Sequence, residues 1–264
     1  MRYLILSSRL IILLIMSLLW LIAGLGICLV RPRHKNNVYA LTTMLTWVQK
    51  VIGIKVVLHF DKQDIRAQMP AVLVGLHQGD WDVITMAHLP QPGLVCIGKK
   101  SLIFTPIFGI LFYLSGNILL DRDHRSKAYE TMLKVVDKIK KHHLSIWFFP
   151  EGTRSGYGPV GSFKTGALHT AMLAQVKVIP FVTSTYTQQI DLGRWDNGEV
   201  HIVMLPSIDG AQLKRSGLNQ ATNDLRELMI STLQELDKQV RRPIGYQLPP
   251  DRYQRMSRPP MYES

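Results

Sequence analysis

Ala71–Asp82 reads AVLVGLHQGDWD, an apolar β-type run followed within six residues by a histidine, a glycine, two aspartates and a tryptophan. A strand over Ala71–Gly75, a turn through Gln78 and Gly79, and a helix from near Asp80 account for the pattern. The change of direction decides what His77 and Asp82 can do. On one continuous helix, five positions apart, they would point about 140° away from each other. Across a strand–turn–helix junction they can meet. In that geometry Asp80 is expected as the N-cap, and Asp82, in the first turn, reaches back to one imidazole nitrogen. A carboxylate there fixes the tautomer and leaves the other nitrogen to take a proton. Read alone, the stretch equally fits a polar loop whose histidine is merely hydrogen-bonded. A metal site is disfavoured, because no second His or Cys cluster has ligand spacing.

The same grammar extends outward. Strand-like runs occur at Ile54–Phe60, Ala71–Gly75, Leu94–Gly98, Asn117–Leu120, Leu144–Phe149, Val176–Val182 and Glu199–Leu205. Between them, Lys127–Lys141 and about Gln220–Val240 carry apolar residues on one helical face. Strands alternating with helices predict an α/β fold: a mixed, largely parallel sheet flanked by helices. Residues 53–240 are expected to form this domain. Beyond Arg241 the chain turns rich in Pro and Arg, and 241–264 is expected as a flexible tail in contact with anionic lipid.

Ahead of the domain, Leu10–Val30 is 21 residues without a charge, roughly 30 Å as a helix and about the thickness of a hydrocarbon core. RPRHK follows it instead of a small-residue cleavage site, which favours a retained anchor over a signal peptide. An amphipathic stretch over Asn37–Val51 comes next, so residues 1–52 read as a membrane-anchoring helical segment. Basic residues flank both sides, and the positive-inside rule leans toward a cytoplasmic domain. A spanning helix and one lying in the interface both stay open.

Composition narrows the partners. With 47% hydrophobic and 19% charged residues there is ample material for a core. Thirty-one Lys and Arg against 19 Asp and Glu give +12, which points to anions: nucleic acid, an acidic protein or an anionic membrane. Basic residues interleaved with aromatics are not concentrated in one stretch, which argues against nucleic acid. The two cysteines, Cys28 and Cys96, make a disulfide framework improbable and fit a reducing cytosol.

Three further stretches sit at strand ends. FPEGTRS (Phe149–Ser155) offers Gly152 for close approach of a ligand and Arg154 as a planar fork for phosphate, with Glu151 in reach of that arginine or a substrate hydroxyl. A plain turn would use the same residue types. GNILLDR (Gly116–Arg122) carries an Asp–Arg pair whose ordinary fate is a surface salt bridge. VKVIPFV (Val176–Val182) contains a proline that also suits an edge strand.

Taken in order, the four stretches resemble the blocks of the glycerolipid acyltransferase family, in particular its bacterial members that acylate 1-acyl-glycerol-3-phosphate. HQGDWD matches the His-x4-Asp block, GNILLDR the second block, FPEGTRS the third and VKVIPFV the fourth. IGKKSL (Ile97–Leu102) and FKTGA (Phe163–Ala167) are similar to family stretches as well, and the likeness covers about residues 1–240.

The resemblance implies transfer of a fatty acyl group from an acyl thioester, acyl-ACP or acyl-CoA, to the sn-2 hydroxyl of lysophosphatidic acid, giving phosphatidic acid. His77 is then the general base and Asp82 its orienter. Arg122 and Arg154 are expected on the acceptor's phosphate, supported by Lys100 and Lys164, with Glu151, Gly152 and Thr153 shaping the pocket. No metal or cofactor is implied beyond the thioester co-substrate. The expected partners are membrane lipids, lysophosphatidic acid, and acyl carrier protein or a coenzyme A thioester. The expected location is the inner membrane, with the domain on its cytoplasmic face. Another lysolipid or glycerol-3-phosphate as acceptor, thioester hydrolysis, and a non-enzymatic membrane-tethered anion binder are the rival readings.

Overall fold

All seven strand candidates form, and they assemble into one sheet in the computed structural model, which describes residues 1–105, 108–121 and 125–254. The strands are β1 (Lys55–Leu58), β2 (Ala71–Gly75), β3 (Leu94–Lys99), β4 (Ile118–Leu120), β5 (Ser145–Phe148), β6 (Lys177–Thr183) and β7 (Glu199–Met204). Their order across the sheet is β1-β7-β6-β2-β5-β3-β4. From β6 to β4 all neighbours run parallel, while β7 is antiparallel to β6 and carries β1 parallel to itself. The sheet is mixed and largely parallel, as the alternation of elements predicts. Every residue of β2 is buried. That is why its sequence is an unbroken apolar run: a parallel strand covered on both faces has no solvent side to make polar.

The helices are α1 (Arg2–Val30), α2 (Asn37–Ile52), α3 (Lys62–Arg66), α4 (Asp82–Thr85), α5 (Phe108–Leu114), α6 (Arg125–His142), α7 (Gly166–Ala174) and α8 (Leu218–Asp237). One face of the sheet is covered by α6, α7 and α8, through Val135, Ile139, Leu168, Ala171, Met229 and Leu233 against Val72, Val74, Ile146 and Val178. On the other face Ile65, Met86 and Leu89 pack on Leu73, Trp147, Ile179 and Phe181. The amphipathic stripes of α2, α6 and α8 are visible in the sequence. Short α3, α4, α5 and α7 offer too few turns for a periodic signal.

By length and composition α1 is able to cross a membrane, and Leu10, Leu14, Ile15, Leu18 and Ile22 are exposed along it. It is not free-standing. Arg9, buried within this apolar helix, donates to the carbonyls of Leu192 (3.1 Å), Arg194 and Trp195 (2.7 Å). Further along, Gly24 lets α2 and α5 come close, since a Cβ there would lie 3.1 Å from Leu41 and 3.2 Å from Leu111. One side of α1 is therefore docked along the domain and the other presents an apolar stripe.

The segment beyond Arg241, expected as a flexible tail, is held to the domain as far as residue 254. Arg242 donates to the carbonyl of Thr185, to Gln189 (2.6 Å) and to Asp237, Tyr253 donates to Asp237 (2.7 Å), and Arg252 is fully buried. The composition suggested disorder because Pro- and Arg-rich sequence carries no periodic apolar stripe, and most of the partners that hold it, Thr185 and Gln189 for Arg242 and Ser155 and Gly158 for Arg252, lie more than fifty positions away. Residues 255–264 fall outside the described part.

Candidate active site

Three adjacent parallel strands, β6, β2 and β5, deliver the site from their C-terminal ends, the usual place for ligands in open α/β sheets. Just past β2 the chain turns and α4 begins at Asp82. The turn brings the two residues together: His77 Nδ1 lies 2.5 Å from Asp82 Oδ2, which also accepts from the Gly79 amide at 3.2 Å. Asp82 is only 3% exposed. The His77 ring stacks on Phe149, past the end of β5, with centroids 4.2 Å apart. Among the described residues nothing bonds His77 Nε2, and the side chain keeps partial access to solvent. An imidazole with one nitrogen held by a carboxylate and the other open can accept a proton from a bound hydroxyl.

Asp80 does not cap the helix. Trp81 occupies the N-cap position without a side-chain cap. The Asp80 carboxylate instead projects outward and pairs with Arg154 at 2.9 Å, with Asp80 82% and Arg154 54% exposed. The turn runs one residue further before helical hydrogen bonding starts, which frees Asp80 to reach the neighbouring loop.

That loop is FPEGTRS. Gly152 sits at φ +73°, a left-handed conformation that L side chains enter only at a cost. Glu151 does not reach Arg154 or the open side of the site. It is buried, one carboxylate oxygen accepting from the His77 amide (2.8 Å) and the other from the Gly161 amide (2.9 Å). Burial pushes this carboxyl above its usual range, against the pull of the two amides and of the Arg252 and His77 charges. Its sequence neighbourhood suggested a substrate contact, but its geometry is that of an internal strap. Ser155 completes the strap: its amide and hydroxyl both donate to the His77 carbonyl, at 2.8 and 3.1 Å.

Of the other expected residues, Thr153 is exposed beside Arg154. Lys164 is exposed too, with its amide on the Pro150 carbonyl (2.9 Å). Lys100 lies out at the β3 end, 3.9 Å from Asp121. Arg122 lies outside the described residues.

Sequence reasoning missed three residues that hold the site from behind. Gln78, buried, donates to the Thr183 (2.9 Å) and Ser184 (3.0 Å) carbonyls and accepts from the Tyr186 amide (3.1 Å), tying the histidine turn to the end of β6. Tyr186 donates its hydroxyl to Asp82 Oδ1. Arg252 donates to Ser155 Oγ (2.7 Å) and the Gly158 carbonyl (3.0 Å). Burial lowers its guanidinium from the usual arginine range, opposed by Glu151, Asp237, Tyr186 and Asp82 around it. Only the position of Gln78 inside HQGDWD offered any hint; Tyr186 and Arg252 carry no local motif.

Comparison with known proteins adds to this geometry. The acyltransferase family model matches residues 56–184. The chain is 39% identical to the 1-acyl-sn-glycerol-3-phosphate acyltransferase of Escherichia coli, over 88% of this chain and 94% of that protein. It is 36% identical to the enzyme of the same name from Haemophilus influenzae, over 88% and 96%. In fold it is similar to the crystal structure of the 1-acyl-sn-glycerophosphate acyltransferase from Thermotoga maritima, with a TM-score of 0.68 at 20% identity, covering 89% of this chain and 98% of that one.

Proposed function

The chain belongs to the acyltransferase family that contains the bacterial 1-acyl-sn-glycerol-3-phosphate acyltransferases, and on that premise we propose that it moves a fatty acyl group from an acyl-ACP or acyl-CoA thioester to the sn-2 hydroxyl of lysophosphatidic acid by general-base catalysis at His77. The observation that carries the mechanism is the His77–Asp82 pair, with Nδ1 on the buried carboxylate and Nε2 open.

A substrate hydroxyl is far too weak an acid to ionise unaided. Nε2 takes its proton as the oxygen attacks the thioester carbonyl carbon, and Asp82 stabilises the imidazolium that forms. The tetrahedral intermediate then collapses. The carbon–sulfur bond breaks, the imidazolium returns the proton to the departing sulfur, and the ester and free thiol remain. No protein nucleophile enters. The hydroxyl of Ser155 is directed to the His77 carbonyl and accepts from Arg252.

In this reading Arg154, exposed beside the turn, receives the acceptor's phosphate, with Arg122, Lys100 and Lys164 as further cations and Gly152 and Thr153 shaping the approach. The Asp80 pairing does not preclude this, because an exposed ion pair is worth only about 0–1 kcal/mol and yields readily. A small apolar cleft of about 90 Å3 among α1, α2, α4, α5 and β3, lined by residues such as Trp20, Leu41, Val83 and Phe112, has room for only a short part of an acyl chain. The exposed stripe of α1 supports attachment to a membrane, and we assign that membrane as the inner membrane with the domain on its cytoplasmic side.

Purified protein supplied with lysophosphatidic acid and either acyl-ACP or acyl-CoA tests the reading. Phosphatidic acid is the expected product. Release of free fatty acid alone identifies a thioester hydrolase instead, and equal acylation of lysophosphatidylcholine removes the assignment of the acceptor.

A further inference from the structure

We infer that Tyr186 is a positioning residue for the acyl transfer, its hydroxyl fixing the orientation of Asp82 and the charge that Asp82 presents to His77. The inference rests on the assignment of His77 as base. Tyr186 stands three residues beyond the end of β6 and is 2% exposed. Its hydroxyl donates to Asp82 Oδ1, while Oδ2 serves His77 and the Gly79 amide. Among the described residues this buried carboxylate is thus met by an imidazole, a backbone amide and a phenol. Without the phenol, Oδ1 would be a buried acceptor with no partner, an arrangement proteins avoid.

The position of the phenol is itself over-determined. The Tyr186 amide is held by Gln78 Oε1 (3.1 Å). The preceding residue, Thr185, donates its amide (2.7 Å) and hydroxyl (2.6 Å) to Asp237 of α8. The network runs from α8 through Thr185 and Tyr186 to Asp82, and so to the base. Packing alone would be met by phenylalanine, so the hydroxyl is the feature to explain.

A donor on Oδ1 draws charge from the carboxylate and places a positive dipole near the imidazole. Both effects limit how strongly Asp82 favours the imidazolium, and a base held too firmly as imidazolium cannot accept the substrate's proton. The phenol remains a neutral donor through the physiological range, because burial and the adjacent Asp82 raise it well above the usual tyrosine value. The other groups facing this unit are Thr85 and Arg252 around the phenol, Glu151 beside His77, and the exposed Asp80–Arg154 pair in the turn. None of them supplies a donor to Oδ1.

The test is Tyr186→Phe in the full-length protein. The expected result is a fall in kcat of about 10-fold, the usual order for one hydrogen bond to a charged group, with KM for lysophosphatidic acid changed less than about twofold because the hydroxyl is buried on Asp82 and not exposed at the rim. The acid limb of kcat/KM moves to higher pH by roughly half a unit, well inside the spread of about one unit that surroundings impose on histidines. The His77 titration, followed by NMR in the resting protein without substrate, moves the same way. A ring-fluorinated tyrosine at 186, a stronger donor of nearly the same shape, moves both in the opposite direction. Wild-type kcat in Tyr186→Phe overturns the inference. So does a loss of activity or of melting temperature with an unshifted His77 titration, since the hydroxyl then serves only packing. The NMR arm needs no turnover, so the coupling stands or falls separately from the acyl-transfer reading.

Discussion

Asp80 and Asp82 are two residues apart in one turn, and the fold treats them oppositely. Asp82 is buried, with both oxygens engaged by His77, Gly79 and Tyr186; Asp80 stands in solvent and pairs, among the described residues, with Arg154. The same division runs through the facing loop, where Glu151 is a buried strap on the His77 amide and Arg154, three residues on, is at the rim. Each motif therefore has an inner half that fixes geometry and an outer half exposed at the rim. A buried carboxylate can hold a base because its charge is desolvated and its direction fixed, while an exposed one is screened and easily displaced.

The largest effect tests the inner half. His77→Ala is expected to lower turnover by about 10²–10⁴-fold, the usual contribution of a positioned general base, and Asp82→Asn to approach it, with the fold intact by circular dichroism. An Asp82→Asn protein that keeps most of its turnover would dissolve the distinction between the two aspartates.

Next comes the buried support. Arg252→Ala should cost on the order of 3 kcal/mol of stability, as expected when a buried side chain is removed together with its hydrogen bonds to Ser155 and Gly158, read as a drop in melting temperature. An unchanged melting temperature would put the segment beyond Arg241 outside the domain's energetics.

At the rim the effect is smaller and appears in binding. Arg154→Ala is expected to raise KM for lysophosphatidic acid by about 10–150-fold, the range for one charge-assisted contact of about 1.5–3 kcal/mol. Arg154→Lys should recover part of it, because a point charge replaces a fork. Background acylation of monoacylglycerol, which has no phosphate, should hardly change; equal loss for both acceptors would move Arg154 from phosphate binding to support of the fold.

Smallest of all is Asp80→Asn, expected to shift stability by less than about 0.5 kcal/mol and turnover by less than about twofold, since only an exposed ion pair is lost. A large fall in turnover would mean that the rim pair positions Arg154 for catalysis.

Much of this protein is written in local sequence. The strands announce themselves as short apolar runs because a doubly covered parallel sheet demands them, and the long stripes of α2, α6 and α8 follow from one-sided burial over several turns. His77 and Asp82 are legible as a pair because the turn that joins them lies wholly between residues 75 and 82. What lies beyond that range is invisible to pattern. Whether Glu151 faces a substrate or the backbone of His77 depends on a contact between residues 74 positions apart. Tyr186 meets Asp82 across 104 positions, and Arg252 meets Ser155 across 97. Sequence determined the strands, the long helices and the pairing of His77 with Asp82, because hydrogen bonding and hydrophobic periodicity act over a few residues. Only the tertiary structure decided which polar groups became buried supports and which stayed at the rim, because burial and long-range pairing are set by where three strand ends and a returning C-terminal segment converge.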